Sequence, residues 1–540
     1  MKQKINTIFK SVAACTISAA TFCLVGCSDF TDIQPKGKNL LSTTDQLELL
    51  LNQNFNTLTP YEFQNFINES YYVGLGNVET MKQSTEITHN RIITLWDESQ
   101  PMSERQRLNN SDMMYTGMYS IIGSVANPIL MNIDEATGSE SDRKRIKAEA
   151  LTLRAWYHYL LVSCYAKAYN SATASSDAGI PYQTEETDMQ SLSVQSTVQS
   201  VYDKILADID LALSLNALPN QAVNTTRVSL PFAYAVKAQV LMSLGQYDEA
   251  ADFAQKSLDI NSSISDHNQM VTSAYGTFVR TPLEQAEDLY ATYFYAQTSA
   301  WSQEMIALFE PSSVLINTYF SDGMYMAASV VPQYQQMAAS YGMTFEEFTA
   351  AMMGMAMTVD QFMAMMKMQY NGILTAQSIG IQTPMYIEMG AESEFNTTGL
   401  TTVDNMLLLA ECAVRAGKLD RATELLEQIR AKRLYTGMYA PLNLTSKAEA
   451  IAEVEREARC EKVYSILGFV NLKRWNQDAE WAVTLTRNIN GTTYTLSPSS
   501  PLWVWPFPSN DVSLNPNLVQ SVEEKANEIK ANIIDSLLKK

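Results

Sequence analysis

The sequence predicts a mostly α-helical fold in which antiparallel helical pairs support an irregular, loop-rich half. Three observations predict it. Apolar residues recur at helical spacing along much of the chain, two distant helical pairs share one residue grammar, and residues 262–400 differ in composition from their flanks. At about 150 residues per domain, 540 residues make roughly three or four domain equivalents. The 46% hydrophobic and 18% charged fractions belong to a folded globular chain. With 38 Lys+Arg against 58 Asp+Glu the formal charge is −20, the wrong sign for tracking phosphates, so nucleic acid is not an expected partner.

The N-terminus carries an address. Lys2, Lys4 and Lys10 precede an apolar stretch, Val12 to Val25, that Thr16, Ser18 and Thr21 dilute. It is too short and too polar to span a bilayer, so residues 1–26 read as a cleaved lipoprotein signal peptide. Leu24-Val25-Gly26-Cys27 resembles a bacterial lipobox, in which the cysteine thiol is acylated (palmitate-type chains) and becomes the new N-terminus. Several acyl chains on Cys27 would hold the protein on a membrane without a spanning helix. No later segment offers eighteen uninterrupted apolar residues. Cys15 and Cys23 leave with the signal. Cys164, Cys412 and Cys460 lie within helical patterns and are expected as buried free thiols.

Helical periodicity covers Met114–Ile133, Ile146–Tyr169, Val198–Leu218, Pro231–Leu244, Tyr247–Leu258, Val403–Ala416, Leu419–Arg433 and Ala448–Trp475. In one pair Tyr234, Ala238 and Leu241 lead to Gly245-Gln246-Tyr247 and then Ala250. In another Met406, Ala410 and Ala413 lead to Gly417-Lys418-Leu419 and then Ala422. The small residues let two backbones approach, and the glycine ends the first helix in a left-handed cap. This is the tetratricopeptide pattern.

Residues 262–400 are rich in Tyr, Ser, Thr and Gln, with turn signals at Asp322-Gly323 and Asn371-Gly372. Tyr290–Tyr295 fits strand or helix. A loop-rich region of this kind is a sensible recognition surface. Within it Met343-Thr344-Phe345-Glu346-Glu347-Phe348 recurs as Met357-Thr358-Val359-Asp360-Gln361-Phe362. Each copy carries a capping box and the spacing of a hydrophobic staple, which predicts two short helices joined near Gly354. The surrounding methionines suit packing or a pliable partner contact better than a soft metal, because no His or Cys accompanies them.

Catalysis is not advertised. Histidine is limited to His89, His158 and His267, with His158 expected in the core or at its rim, and there is no HExxH, GxSxG, Walker loop or paired CxxC. No cofactor and no metal site are expected, and the protein is not expected to be an enzyme.

The ordered motifs resemble one family. Tyr119-Ser120-Ile121-Ile122 through Asn127, Ala148-Glu149-Ala150-Leu151-Thr152-Leu153-Arg154-Ala155-Trp156 and Gly179-Ile180-Pro181 come first, then Val201-Tyr202-Asp203 through Asp208 and Leu218-Pro219. The C-terminal part adds Leu407–Glu411, Ile429–Arg433, Leu472-Lys473-Arg474-Trp475, Trp505-Pro506-Phe507-Pro508 and Asn515-Pro516-Asn517-Leu518. Together they resemble SusD/RagB-like outer-membrane lipoproteins of Bacteroidetes. One departure stands out: Ser465-Ile466-Leu467-Gly468 and Asn471 occupy the place of a usual Glu-Gly-x-Arg and Asp.

The resemblance implies residues 27–261 as an N-terminal SusD-like region with tetratricopeptide-like helices and 262–400 as the irregular region with its Met-rich insert. Residues 401–540 form the C-terminal RagB/SusD region. It implies a non-catalytic lid on a TonB-dependent (SusC-like) transporter, anchored in the cell outer membrane and facing outward, that captures a glycan. A peptide or other nutrient in the same role, or a periplasmic scaffold of tetratricopeptide type, are the alternatives. A pyranose stacks its C–H face on an aromatic ring while amides and carboxylates meet its hydroxyls. The expected ligand-binding residues are Trp96 and Trp301 first, with Asp97, Tyr293 and Tyr295; core packing is the competing reading for each. Trp475, Trp503 and Trp505 are expected to be structural, and Arg154 and Arg474 to pair with carboxylates.

Overall fold

Thr43 opens the first helix by a capping box: its Oγ accepts the Gln46 N–H at 3.3 Å while Gln46 Oε1 accepts the Thr43 N–H at 3.3 Å. The computed structural model describes residues 41–52, 61–67, 71–72, 85–188, 190–270, 285–295, 299–301, 303–319, 331, 334–362, 365, 386–387, 394–463, 465–489 and 491–520. The signal segment, Cys27 and the turns at Asp322-Gly323 and Asn371-Gly372 lie outside them.

The N-terminal elements are α1 (Thr44–Leu51), α2 (Tyr61–Ile67), β1 (Tyr71–Tyr72), α3 (His89–Leu95) and α4 (Met102–Leu108). Helix α5 (Met113–Ile121) continues through a π-turn at Ile122–Ala126 into α6 (Asn127–Asn132), which accounts for the single periodic run in the sequence. Helix α7 (Glu140–Tyr165) is central, and from Ala148 to its end every residue is buried. It stops where the buried Lys473 amino group donates to the carbonyls of Ser163 at 2.8 Å and Ala166 at 2.5 Å, a C-cap supplied from more than 300 residues away, with burial pulling the Lys473 pKa down to about 7.

A short antiparallel pair, β2 (Ala178–Pro181) and β3 (Gln195–Thr197), leads into α8 (Val198–Ser214), which packs along α7. Arg154 on α7 joins the two through Asp208 at 2.6 and 2.8 Å. Next come α9 (Leu230–Ser243) and α10 (Tyr247–Ile260). Gly245 takes φ +74° and lets Gln246 N–H reach the Leu241 carbonyl at 3.0 Å, the expected left-handed cap, with Ala238 and Ala250 fully buried between the helices.

The irregular region contributes β4 (Asp288–Tyr290), β5 (Tyr293–Tyr295), β6 (Ser299–Trp301), α11 (Phe345–Met353), β7 (Tyr386–Ile387), β8 (Glu394–Asn396) and β9 (Leu400–Thr401). Its antiparallel ladders are β1–β6–β7, β4–β9 and β5–β8. Tyr290 and Tyr293–Tyr295 are therefore strand, with Ala291 and Thr292 as the break between β4 and β5. Gly399 is required where β9 begins, because a Cβ there would lie 1.9 Å from the Tyr290 carbonyl oxygen.

Both capping boxes of the Met-rich insert form, from Thr344 with Glu347 and from Thr358 with Gln361, and Gly354 closes α11 at φ +73°. Phe345, Met357, Phe362 and Val331 make its own small core. Met352 and Met355 stay 62% and 58% exposed, so packing onto the body does not account for them.

The C-terminal part holds α12 (Thr402–Arg415), α13 (Leu419–Arg433), α14 (Lys447–Glu461), α15 (Leu467–Trp475) and the hairpin β10 (Leu485–Ile489) with β11 (Thr492–Leu496). The second glycine-ended pair repeats the first: Gly417 has φ +73°, Lys418 N–H reaches the Ala413 carbonyl at 2.8 Å, and Ala410 and Ala422 are fully buried. Helix α10 packs on α12, so the two pairs, some 150 residues apart in sequence, stack directly.

One expected helix is two. The Ala448–Trp475 run breaks between α14 and α15, where the Ile466 N–H goes to the Thr397 carbonyl at 2.9 Å instead of continuing the helix. A Cβ at Gly468 would come within 2.9 Å of the flexible Ile67 Cδ1 and 3.1 Å of the Lys462 carbonyl oxygen. Cys164, Cys412 and Cys460 are buried free thiols, as expected, and burial pushes Cys412 up to about 12. No helix among the described residues is long and apolar enough to cross a membrane.

Candidate ligand-binding surface

The aromatic candidates separate into two groups. Trp96 ends α3 in the left-handed region, at φ +48° and ψ +50°. Its indole N–H donates to the Phe66 carbonyl at 2.9 Å and the Arg487 guanidinium lies 3.9 Å from its ring centre. That guanidinium also holds the carbonyls of Thr94, Asn65 and Phe66. With 4% of its surface exposed, Trp96 clamps α2, α3 and the β10–β11 hairpin together. The expectation that it stacks on a ligand is corrected: one ring face is taken by a cation and the N–H is spent.

Asp97, beside it, is partly exposed but engaged. Its carboxylate accepts from the Ser99 N–H at 3.1 Å, the Ser99 hydroxyl at 2.5 Å, Gln100 at 3.3 Å and Arg91 at 3.2 Å. Partial burial opposes ionisation, but the Ser99 and Gln100 hydrogen bonds and Arg91 hold the carboxyl below its usual range.

Tyr293, Tyr295 and Trp301 fall on strands. Tyr293 pairs with Asn396 and Tyr295 with Glu394 in the β5–β8 ladder. In the β1–β6–β7 sheet Tyr72 is opposite Ser299 and Trp301 is opposite Tyr386. Directly paired residues share a face, and so do residues two apart on one strand. Register therefore assigns Tyr72, Trp301 and Tyr386 to one face of a three-stranded sheet whose strands come from three distant parts of the chain.

Two of these aromatics, Tyr72 and Tyr386, were not singled out from the sequence, which shows no alternation around either. The only pointer is their own aromatic character, and it becomes informative once register is known.

Against β4 lies a cleft of about 540 Å³. The loop after α8 supplies Asn220, Gln221 and Asn224, the end of α10 supplies Asn261, and Gln285 and Asp288 come from the approach to β4. Its rim is rich in side-chain amides, which both donate and accept. From β4 the chain passes through Ala291 and Thr292 into β5, so cleft and aromatic strands are consecutive along the chain.

Several other polar groups among the described residues serve the fold. His158 is enclosed: Nδ1 donates to the Arg154 carbonyl at 2.9 Å, Nε2 accepts the Gln183 N–H at 3.1 Å, and burial drives its pKa down to about 3. Arg474 grips Glu411 through two bonds of 2.7 Å, and Glu411 also accepts from Arg415 at 2.8 Å and from the Trp475 indole at 2.9 Å. Arg154 and Arg474 thus pair with carboxylates as expected, and Trp475, Trp503 and Trp505 are buried. Glu310, Glu453 and Glu457 bring carboxylate oxygens within 4.8 Å of one another, but Arg430 and Arg456 already pair with this cluster. It is an ion-pair network tying the irregular region to α13 and α14.

Two family models match the chain. Residues 29–242 match one described as starch-binding, associating with the outer membrane, and residues 363–523 match that of the SusD family. No curated protein matches. Among solved structures, a SusD superfamily protein from Bacteroides fragilis is similar at 16% identity and a TM-score of 0.59, covering 89% of this chain and 100% of its own. A SusD-like carbohydrate binding protein from Bacteroides vulgatus gives 16% and 0.55, over 88% and 97%. Surface glycan-binding protein A from Bacteroides uniformis gives 13% and 0.59, over 88% and 99%.

Proposed function

Since this chain belongs to the SusD family, we propose that it is a lipid-anchored, outward-facing protein that captures a glycan and delivers it to a partner TonB-dependent, SusC-like transporter. Membership makes it a nutrient-binding protein of the outer membrane, and one that binds without catalysing. The anchor in this reading is Cys27. The ligand is met by the face carrying Tyr72, Trp301 and Tyr386, extended by Tyr293 and Tyr295 on the neighbouring ladder.

The observation that carries the proposal is the sheet register. Three aromatics on one face provide the stacking surface that sugar rings require, and the amide-rimmed cleft supplies partners for hydroxyls. The helical pairs act as the rigid body that holds this surface and offers a flank to the transporter.

The test is calorimetry of the full chain against a panel of soluble oligosaccharides and mixed peptides. Glycan binding that weakens at least tenfold (about 1.4 kcal/mol) in Trp301→Ala is expected. Binding of peptides alone would replace the ligand class. Protein shielded from protease on intact cells would favour the periplasmic scaffold instead.

A further inference from the structure

Cations are almost absent from the irregular region. Residues 262–400 contain only Arg280 and Lys367 against thirteen Asp and Glu, a net of −11 out of −20 for the chain. At the chain-wide frequency of Lys and Arg, a segment of that length would hold about ten.

Among the described residues, several cations that reach this region from elsewhere are already engaged. Lys432 pairs with Asp266 at 3.0 Å, Arg433 with Glu287 at 3.0 Å and Arg430 with Glu310 at 2.7 Å. Arg487, under Trp96, is bound to three backbone carbonyls. The nearby cleft is rimmed by amides and the carboxylate of Asp288.

Carboxylates, sulfates and phosphates on a ligand need guanidinium or ammonium partners, and a surface of like charge repels them. We propose that this protein's binding face selects glycans that carry no anionic group. The proposal rests on the glycan-capture reading above and narrows its substrate class. A neutral chain stacks on the aromatic face and bonds through amides, neither of which requires a cation. A polyanionic chain meets a region whose own sequence carries a net of −11, and among the described residues the cations named above are already spent on carboxylates or carbonyls.

The experiment compares matched glycans on the full chain by calorimetry. Neutral members are dextran, starch, xylan, mannan, galactan and fully methyl-esterified homogalacturonan. Charged counterparts are dextran sulfate, carboxymethylated starch, sulfated xylan, mannan and galactan, and de-esterified homogalacturonan. For whichever neutral glycan binds, its charged counterpart is expected to bind at least tenfold more weakly at 50 mM NaCl. That gap should close to within about threefold at 500 mM, where the screening length is only a few ångströms.

A charged counterpart binding as tightly as its neutral parent, or alone, overturns the selectivity while leaving glycan capture standing. A gap that salt does not narrow is steric and also overturns it. If no glycan of either kind binds, the capture reading fails and the selectivity with it.

Discussion

Replacing Glu411 by Ala should destabilise the fold more than any surface change, and the structure says why. The carboxylate is 2% exposed and receives two bonds from Arg474, one from Arg415 and one from Trp475. Removing it leaves the Arg474 guanidinium buried without its counter-ion, while Arg415 keeps Asp478 at 2.6 Å. Breaking a buried pair on one side costs about 3–5 kcal/mol. With an unfolding entropy of about 2.1 cal/mol/K per residue over about 500 residues, each kcal/mol lowers Tm by roughly 1 °C, so about 3–5 °C is expected. Thermal and urea unfolding of both proteins at pH 7 measure it.

The pH dependence supplies a second reading. Although burial opposes it, Arg474 and Arg415 hold the Glu411 carboxyl below the ordinary Glu value of 4.5. Its contribution is therefore present above about pH 4.5 and disappears as pH falls through the depressed folded value. The gap between wild type and Glu411→Ala should narrow in that acid range. The double variant Glu411→Leu with Arg474→Met should recover at least half of the loss, since an apolar pair of similar volume replaces an ion pair at little cost. A Tm loss under about 1 °C for Glu411→Ala, or a double variant worse than the single, would refute the reasoning.

Two further expectations follow. Trp96→Phe should lower stability by about 2–4 kcal/mol, through the lost indole bond to Phe66 and the weaker seat for Arg487, while glycan affinity stays within about twofold by calorimetry; a tenfold affinity loss without a stability change would return Trp96 to the binding surface. Burial, with Asp112 nearby, lifts the Glu62 carboxyl from 4.5 to about 7, so it opposes folding once the unfolded chain ionises: stability should fall between pH 4.5 and 7, and Glu62→Gln should remove up to about 3 kcal/mol of that fall. Unfolding midpoints of both proteins at pH 5 and pH 8 decide it, and parallel curves would exclude the effect.

The residues that wrote the helical pairs are local. Ala238, Gly245 and Ala250, and again Ala410, Gly417 and Ala422, act within one hairpin, so spacing alone announces the cap and the close approach. The capping boxes at Thr344 and Thr358 are equally self-contained, and both form. The core placement of His158 and the pairing of Arg154 and Arg474 were legible because dense helical surroundings leave a charge or an imidazole no alternative to a buried partner.

What only tertiary structure decided is contact between distant segments. Trp96 looked like a stacking ring because nothing near it in sequence announces Phe66 or Arg487. The break at Ile466 depends on Thr397, and the end of α7 depends on Lys473. The face that joins Tyr72, Trp301 and Tyr386 exists only because strands from three parts of the chain pair in one register, and a shift of one residue would place these residues on opposite faces. Periodicity and capping are encoded within a few residues, whereas burial and strand register arise from long-range packing that no short window of sequence contains.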